Sequence, residues 1–88
     1  MKAKTVYKGH VIEFSRSLAE LTLSLDGEVL DRRKGSLRNH KVDTTLEAVI
    51  ERGSHQGSVI RAELNLGLFT DKVLFYFNSE LIDQKKIL

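Results

Sequence analysis

Apolar and polar residues alternate along most of this chain, and the clearest alternation occurs twice. Leu21, Leu23 and Leu25 point to one side of a run whose other side carries Glu20, Thr22 and Ser24, the period of a half-buried β-strand. Val73, Phe75 and Phe77 repeat the pattern at an offset of 52 residues. Each run leads into a two-residue break, Asp26-Gly27 or Asn78-Ser79, and then into a second apolar pair, Val29-Leu30 or Leu81-Ile82. Asp-Gly between alternating runs is a strong hairpin signal, because both residue types tolerate the positive φ of a type I′ turn. LTLSLDGEVLDRRK (Leu21 to Lys34) and VLFYFNSELIDQKK (Val73 to Lys86) align without a gap. The same offset lays Ile12 on Leu64 and Phe14 on Leu66. We therefore expect a three-stranded unit used twice, with halves over roughly 5–34 and 59–87 that stack on a shared leucine-rich face.

The rest of the chain fills in around these units. Lys2 to Phe14 predicts two short strands or one bent one, with Val6 on the face of Ile12 and Phe14 and with Gly9 as a bulge or tight bend. Ser15 to Ala19 is a connection, and Gly35 to Asp43 is the most loop-like stretch of the chain. Thr44 to Arg52 reads either as a short helix capped by Thr44 and Glu47 or as a strand with Leu46, Ala48 and Ile50 inward. The strand is preferred, because Gly53 to Ser58 then forms the tip of a hairpin leading into Ile60 to Leu68. That run is expected to place Ile60, Ala62, Leu64, Leu66 and Leu68 on one face. The fold class is all-β: a small antiparallel β-sandwich or partly open barrel of about seven strands in a single domain over residues 1–88. Its core should contain Ile12, Phe14, Leu21, Leu23, Leu25, Leu30, Leu64, Leu66, Val73, Phe75, Phe77 and Ile82.

Composition narrows the function. A chain of 88 residues without cysteine has no disulfides to supplement a core that buries only about 60–65% of the unfolded surface. The lack of cysteine and of an apolar h-region in Met1 to His10 points to the cytoplasm. The longest apolar run, Val73 to Phe77, is far short of the roughly 20 residues of a membrane helix. Fourteen basic and twelve acidic residues leave a formal charge of +2 with the signs interleaved, which gives weak encouragement to nucleic-acid binding.

Few residues suggest chemistry. His10, His40 and His55 lie far apart, with no partner at metal-ligand spacing, and they read as surface or loop histidines. No cofactor, metal or catalytic residue is expected. The pairs Glu28 with Asp31 and Glu80 with Asp83 sit beside hairpins, where exposed acids are ordinary. The cluster Arg32, Arg33, Lys34, Arg38 and Lys41 is the best candidate anion-binding surface, against the plainer reading of a charged edge that blocks strand-to-strand aggregation. Leu74 and Tyr76 stand where the first copy has Thr22 and Ser24, so they are a candidate interface, and a two-fold homodimer is expected.

HVIEF at His10 to Phe14, LTLSLDGEVLDRR at Leu21 to Arg33 and the echo ending FNSELIDQKK together resemble the Fas apoptosis inhibitory molecule family. The resemblance rests on about ten residues; Asn78-Ser79 departs from the family's second Asn-Gly turn, and the family's aromatic residues between the halves are lacking. It implies an all-β sandwich of two similar halves, a non-enzymatic role through protein contacts, and no catalytic residues. The leading expectation is thus a non-enzymatic protein-binding or structural β-domain, ahead of a nucleic-acid or anion binder and of a small-ligand binder or enzyme.

Overall fold

The computed structural model describes residues 2–34 and 45–87. Two four-stranded antiparallel sheets pack face to face as a sandwich and do not close into a barrel. The first contains β1 (Lys2–Tyr7), β2 (His10–Arg16), β3 (Glu20–Leu25) and β4 (Glu28–Lys34) in that order. The second contains β5 (Thr45–Val49), β6 (Val59–Asn65), β7 (Asp71–Phe77) and β8 (Glu80–Ile87), also in sequence order. Among the described residues eight strands replace the expected seven or so, because the first segment is two strands rather than one bent strand. Lys8 (φ 51°) and Gly9 (φ 80°) make a turn of the same left-handed kind as Asp26-Gly27 and Asn78-Ser79. Lysine is an unusual occupant of that backbone region, which is why the turn is harder to read than Asp-Gly.

The pairing register decides which side chains face inward. Ile12 lies opposite Thr5 and Leu25, and Phe14 opposite Ala3 and Leu23; residues directly opposite one another share a face. Val6 is therefore turned outward and two-thirds exposed, whereas Ala3 and Thr5 are buried, so the expected inward Val6 is corrected. Leu46 and Ile50 are buried and Val49 is exposed, in keeping with the strand alternative for this segment. The core holds Ile12, Phe14, Leu21, Leu23, Leu46, Ile50, Ile60, Ala62, Leu64, Val73, Phe75 and Phe77, with Leu25, Leu30 and Ile82 packed at its margin.

Leu66 is the core assignment that fails. β6 stops at Asn65, so Leu66 and Leu68 lie beyond the sheet, 57% and 96% exposed. The offset of 52 consequently does not extend to β2 and β6. Leu23 pairs with Phe14 and Phe75 pairs with Ala62, so Ala62 rather than Leu66 takes the place equivalent to Phe14. Between the equivalent pairs Arg16–Leu21 and Leu64–Val73 lie four residues and eight, and those four extra residues absorb the shift.

The two hairpins share finer details. Pairing slips between Leu23 and Ser24 and again between Phe75 and Tyr76, leaving Leu30 and Ile82 as extra residues in β4 and β8, the geometry of a β-bulge. Asp26 exchanges bonds with Val11: its amide donates to the Val11 carbonyl, and its Oδ1 accepts the Val11 amide, both at 2.8 Å. Asn78 does the same with Val59, again at 2.8 Å for both bonds. Each turn thus fastens itself to the start of the neighbouring strand, and Asn78 shows that an amide side chain suffices for that task.

Candidate binding surface

The connections 17–19 and 66–70 lie side by side at one end of the sandwich, tied by an ion pair of 2.7 Å between Arg16 Nη1 and Asp71 Oδ2. Three of their side chains stand almost wholly in water: Leu18 at 92% exposure, Leu68 at 96% and Phe69 at 94%. Scattered exposed apolar residues are normal; three on two neighbouring loops make this tip a candidate interaction surface.

Local bonds hold both loops in shape. Ser17 makes the first turn: its amide and hydroxyl donate to the Glu20 carbonyl, and its Oγ accepts the Ala19 and Glu20 amides. Leu18 is left at the apex. In the second loop a Cβ on Gly67 would run into the Thr70 carbonyl, so only glycine fits that bend. Asp71 braces the loop from inside, with Oδ1 accepting the Gly67 amide at 3.3 Å. The hydrogen bond from Arg16 chiefly, helped by the Gly67 amide and opposed by burial, holds the Asp71 carboxyl below its usual range. Asp71→Asn is expected to cost about 1 kcal/mol in urea unfolding, because the charge-assisted bond becomes a neutral one. The 66–70 amides should then exchange faster with deuterium.

Basic side chains surround this tip. Lys34 lies opposite Glu20 at the end of β4. Lys72 lies directly opposite Lys86, a like-charge pair that costs stability in a sheet, and all three lysines are exposed.

The basic residues singled out from the sequence are placed differently from one another. Arg32 lies opposite Thr22 and Arg33 opposite Leu21, so they occupy opposite faces of β4. Arg32 Nη1 bonds Glu20 Oε1 at 2.7 Å, and Arg33 Nη1 bonds Asp31 Oδ1 at 2.9 Å. Arg38 and Lys41 lie outside the described residues, as does the expected loop Gly35 to Asp43. Leu74 and Tyr76 are half-buried on the outer face of the second sheet, where the Arg61 guanidinium stacks 4.2 Å from the centre of the Tyr76 ring.

At the opposite end the fold unites residues that looked unrelated in sequence. His10 Nδ1 is 2.8 Å from Asp26 Oδ2, and His10 Nε2 is 3.0 Å from His55 Nδ1. The Asp26 carboxyl is held below its usual range mainly by the His10 contact, then by the Val11 amide. Beside them lies a shallow groove of about 200 Å³, lined in part by Leu25, Glu28, Leu30 and Arg52. No spacing rule could have found this cluster, since a hairpin turn, a strand start and a loop meet only through strand order. Among the described residues no three His, Cys, Asp or Glu side chains gather as a metal cage, and no helix is long and apolar enough to cross a membrane. No family model matches the chain, and no curated protein or solved structure matches it.

Proposed function

We propose that this chain is a non-enzymatic binding domain that docks on a protein partner through its apolar loop end. The observation that carries this reading is the exposure of Leu18, Leu68 and Phe69 on two braced loops. Braced loops lose little conformational entropy on docking, so their apolar contact area is used efficiently. Lys34, Lys72 and Lys86 around them favour a partner with an apolar pocket and an acidic rim. The resemblance to the Fas apoptosis inhibitory molecule family agrees with a role through protein contacts. The absence of cysteine agrees with a reducing, cytoplasmic setting.

The competing readings have less support. Arg32 and Arg33 already engage Glu20 and Asp31 on opposite faces of β4, which leaves a weaker platform for phosphate groups. The groove beside His10, at about 200 Å³, is smaller than the roughly 300–1,000 Å³ usual for small-molecule sites. The common strand order, the two bulges and the matching Asp26 and Asn78 anchors support reading the halves as an internal repeat.

A photo-crosslinking residue in place of Phe69 tests the docking surface in cells. A discrete protein adduct is expected. The purified partner should bind the natural chain and lose at least about tenfold in affinity with Leu68→Ser and Phe69→Ser combined. Stability should barely change, because both side chains are exposed. An adduct of the chain with itself would make a second copy the partner, through this tip rather than through Leu74 and Tyr76. Undiminished binding by the double variant would remove this end of the sandwich as the docking surface.

A further inference from the structure

Asp26, His10 and His55 form a relay whose atoms leave little freedom of assignment. Asp26 Oδ1 is committed to the Val11 amide, and Oδ2 accepts from His10 Nδ1 at 2.8 Å. The carboxylate therefore keeps the proton of neutral His10 on Nδ1 and leaves a lone pair on Nε2. That Nε2 is 3.0 Å from His55 Nδ1. The His55 ring is steadied by edge-on packing against Phe77, with ring centres 6.0 Å apart, and has Ser54 Oγ 3.4 Å from the same Nδ1.

We propose that His10 Nε2 and His55 Nδ1 together bind a divalent copper ion, with Asp26 as the outer carboxylate that orients His10. Without metal, His55 Nδ1–H donates to His10 Nε2. When His55 takes the tautomer protonated on Nε2, the pair presents two lone pairs with no net loss of a proton. A carboxylate on the far nitrogen of a ligating histidine is the usual device for fixing its tautomer and raising its basicity.

Metal choice follows from the ligand type: two imidazole nitrogens close enough to share one ion suit copper(II), which heads the affinity order for imidazole ligands and takes tetragonal coordination. Two protein nitrogens leave the remaining positions to water and to the Ser54 hydroxyl, so this is an open, exchangeable site rather than a structural cage. Binding would tie the loop around His55 to the start of β2, joining the two sheets at this end.

Copper(II) titration of the metal-free protein at neutral pH, followed by calorimetry and electron paramagnetic resonance, tests the assignment. One ion per chain with a two-imidazole spectrum is expected. His10→Asn and His55→Asn should each weaken binding by at least about tenfold, and Asp26→Asn by about 10–100-fold. The last variant keeps the acceptor for the Val11 amide, as Asn78 does for Val59, so it should still fold without metal. A spectrum with fewer than two imidazoles, or undiminished affinity in His10→Asn and His55→Asn, would overturn the proposal; the spectrum of the natural chain decides this even if a variant fails to fold.

Discussion

Phe75→Ala is expected to remove about 3–5 kcal/mol of stability, the cost of truncating a fully buried phenylalanine. Phe75 is wholly inaccessible to solvent and sits on β7, an inner strand flanked by β6 and β8. Its cross-strand neighbours are Ala62 and Asp83; Ala62 is too small to fill the space the ring would leave. A domain of 88 residues has about 4–13 kcal/mol of total stability, so this one change consumes a large part of it. Phe69→Ala provides the contrast, because the same side chain at 94% exposure should shift stability by under about 0.5 kcal/mol. Urea unfolding at pH 7 measures both. A cooperative transition within about 1 kcal/mol of the natural chain for Phe75→Ala would mean that the sheets do not pack through this face.

The same contrast between two phenylalanines shows what the residue pattern could reveal. Alternation at Leu21 to Leu25 and Val73 to Phe77 is informative because each run meets a turn whose residue types tolerate positive φ. Asp26 and Asn78 do so at φ of 50° and 49°. Alternation alone does not say where a strand stops. Leu64, Leu66 and Leu68 continue one period, yet pairing in β6 ends at Asn65, and Asp71 then takes the Gly67 amide to turn the chain. That bond joins residues whose types give no warning, so the alternation places Leu66 in the core and Leu68 on the inward face, where the fold leaves both exposed. Val6 misled for a related reason, since its facing depends on the register against β2, which the Lys8-Gly9 turn sets. The histidine cluster lies furthest from the linear pattern, because it exists only once both sheets are assembled. Leu30 and Ile82 are expected in the core and pack only at its margin, and their role as bulge residues follows from pairing that neither side chain announces.

Asp31→Ala combined with Asp83→Ala is expected to cost about 3–4 kcal/mol, because these carboxylates close the two seams of the sandwich by the same device. Each follows a bulge residue, and each accepts the next backbone amide on Oδ1, that of Arg32 or Gln84, at 2.8 Å. The other oxygen crosses to the facing sheet. Asp31 Oδ2 accepts the Glu47 amide of β5 at 3.0 Å, and Asp83 Oδ2 accepts the Thr5 hydroxyl of β1 at 2.7 Å. Thr5 is only 8% exposed, so Asp83→Ala alone strands a buried hydroxyl at a cost of about 2 kcal/mol. Adding Thr5→Val should recover part of that loss, since an apolar pair of similar shape leaves nothing unsatisfied. Acid gives an independent check. The Thr5 hydrogen bond, opposed by burial and aided by the Gln84 amide, lowers the Asp83 carboxyl from its ordinary 3.8. A carboxyl lowered in the folded state contributes stability above its unfolded value and loses it as pH falls through the folded one. The gap between the natural chain and Asp83→Ala should therefore be full at pH 7 and shrink as the pH is taken down below 3.8. Urea midpoints across that range measure it; a gap under about 0.5 kcal/mol at pH 7 would mean that the bond from Thr5 to Asp83 does not hold this seam.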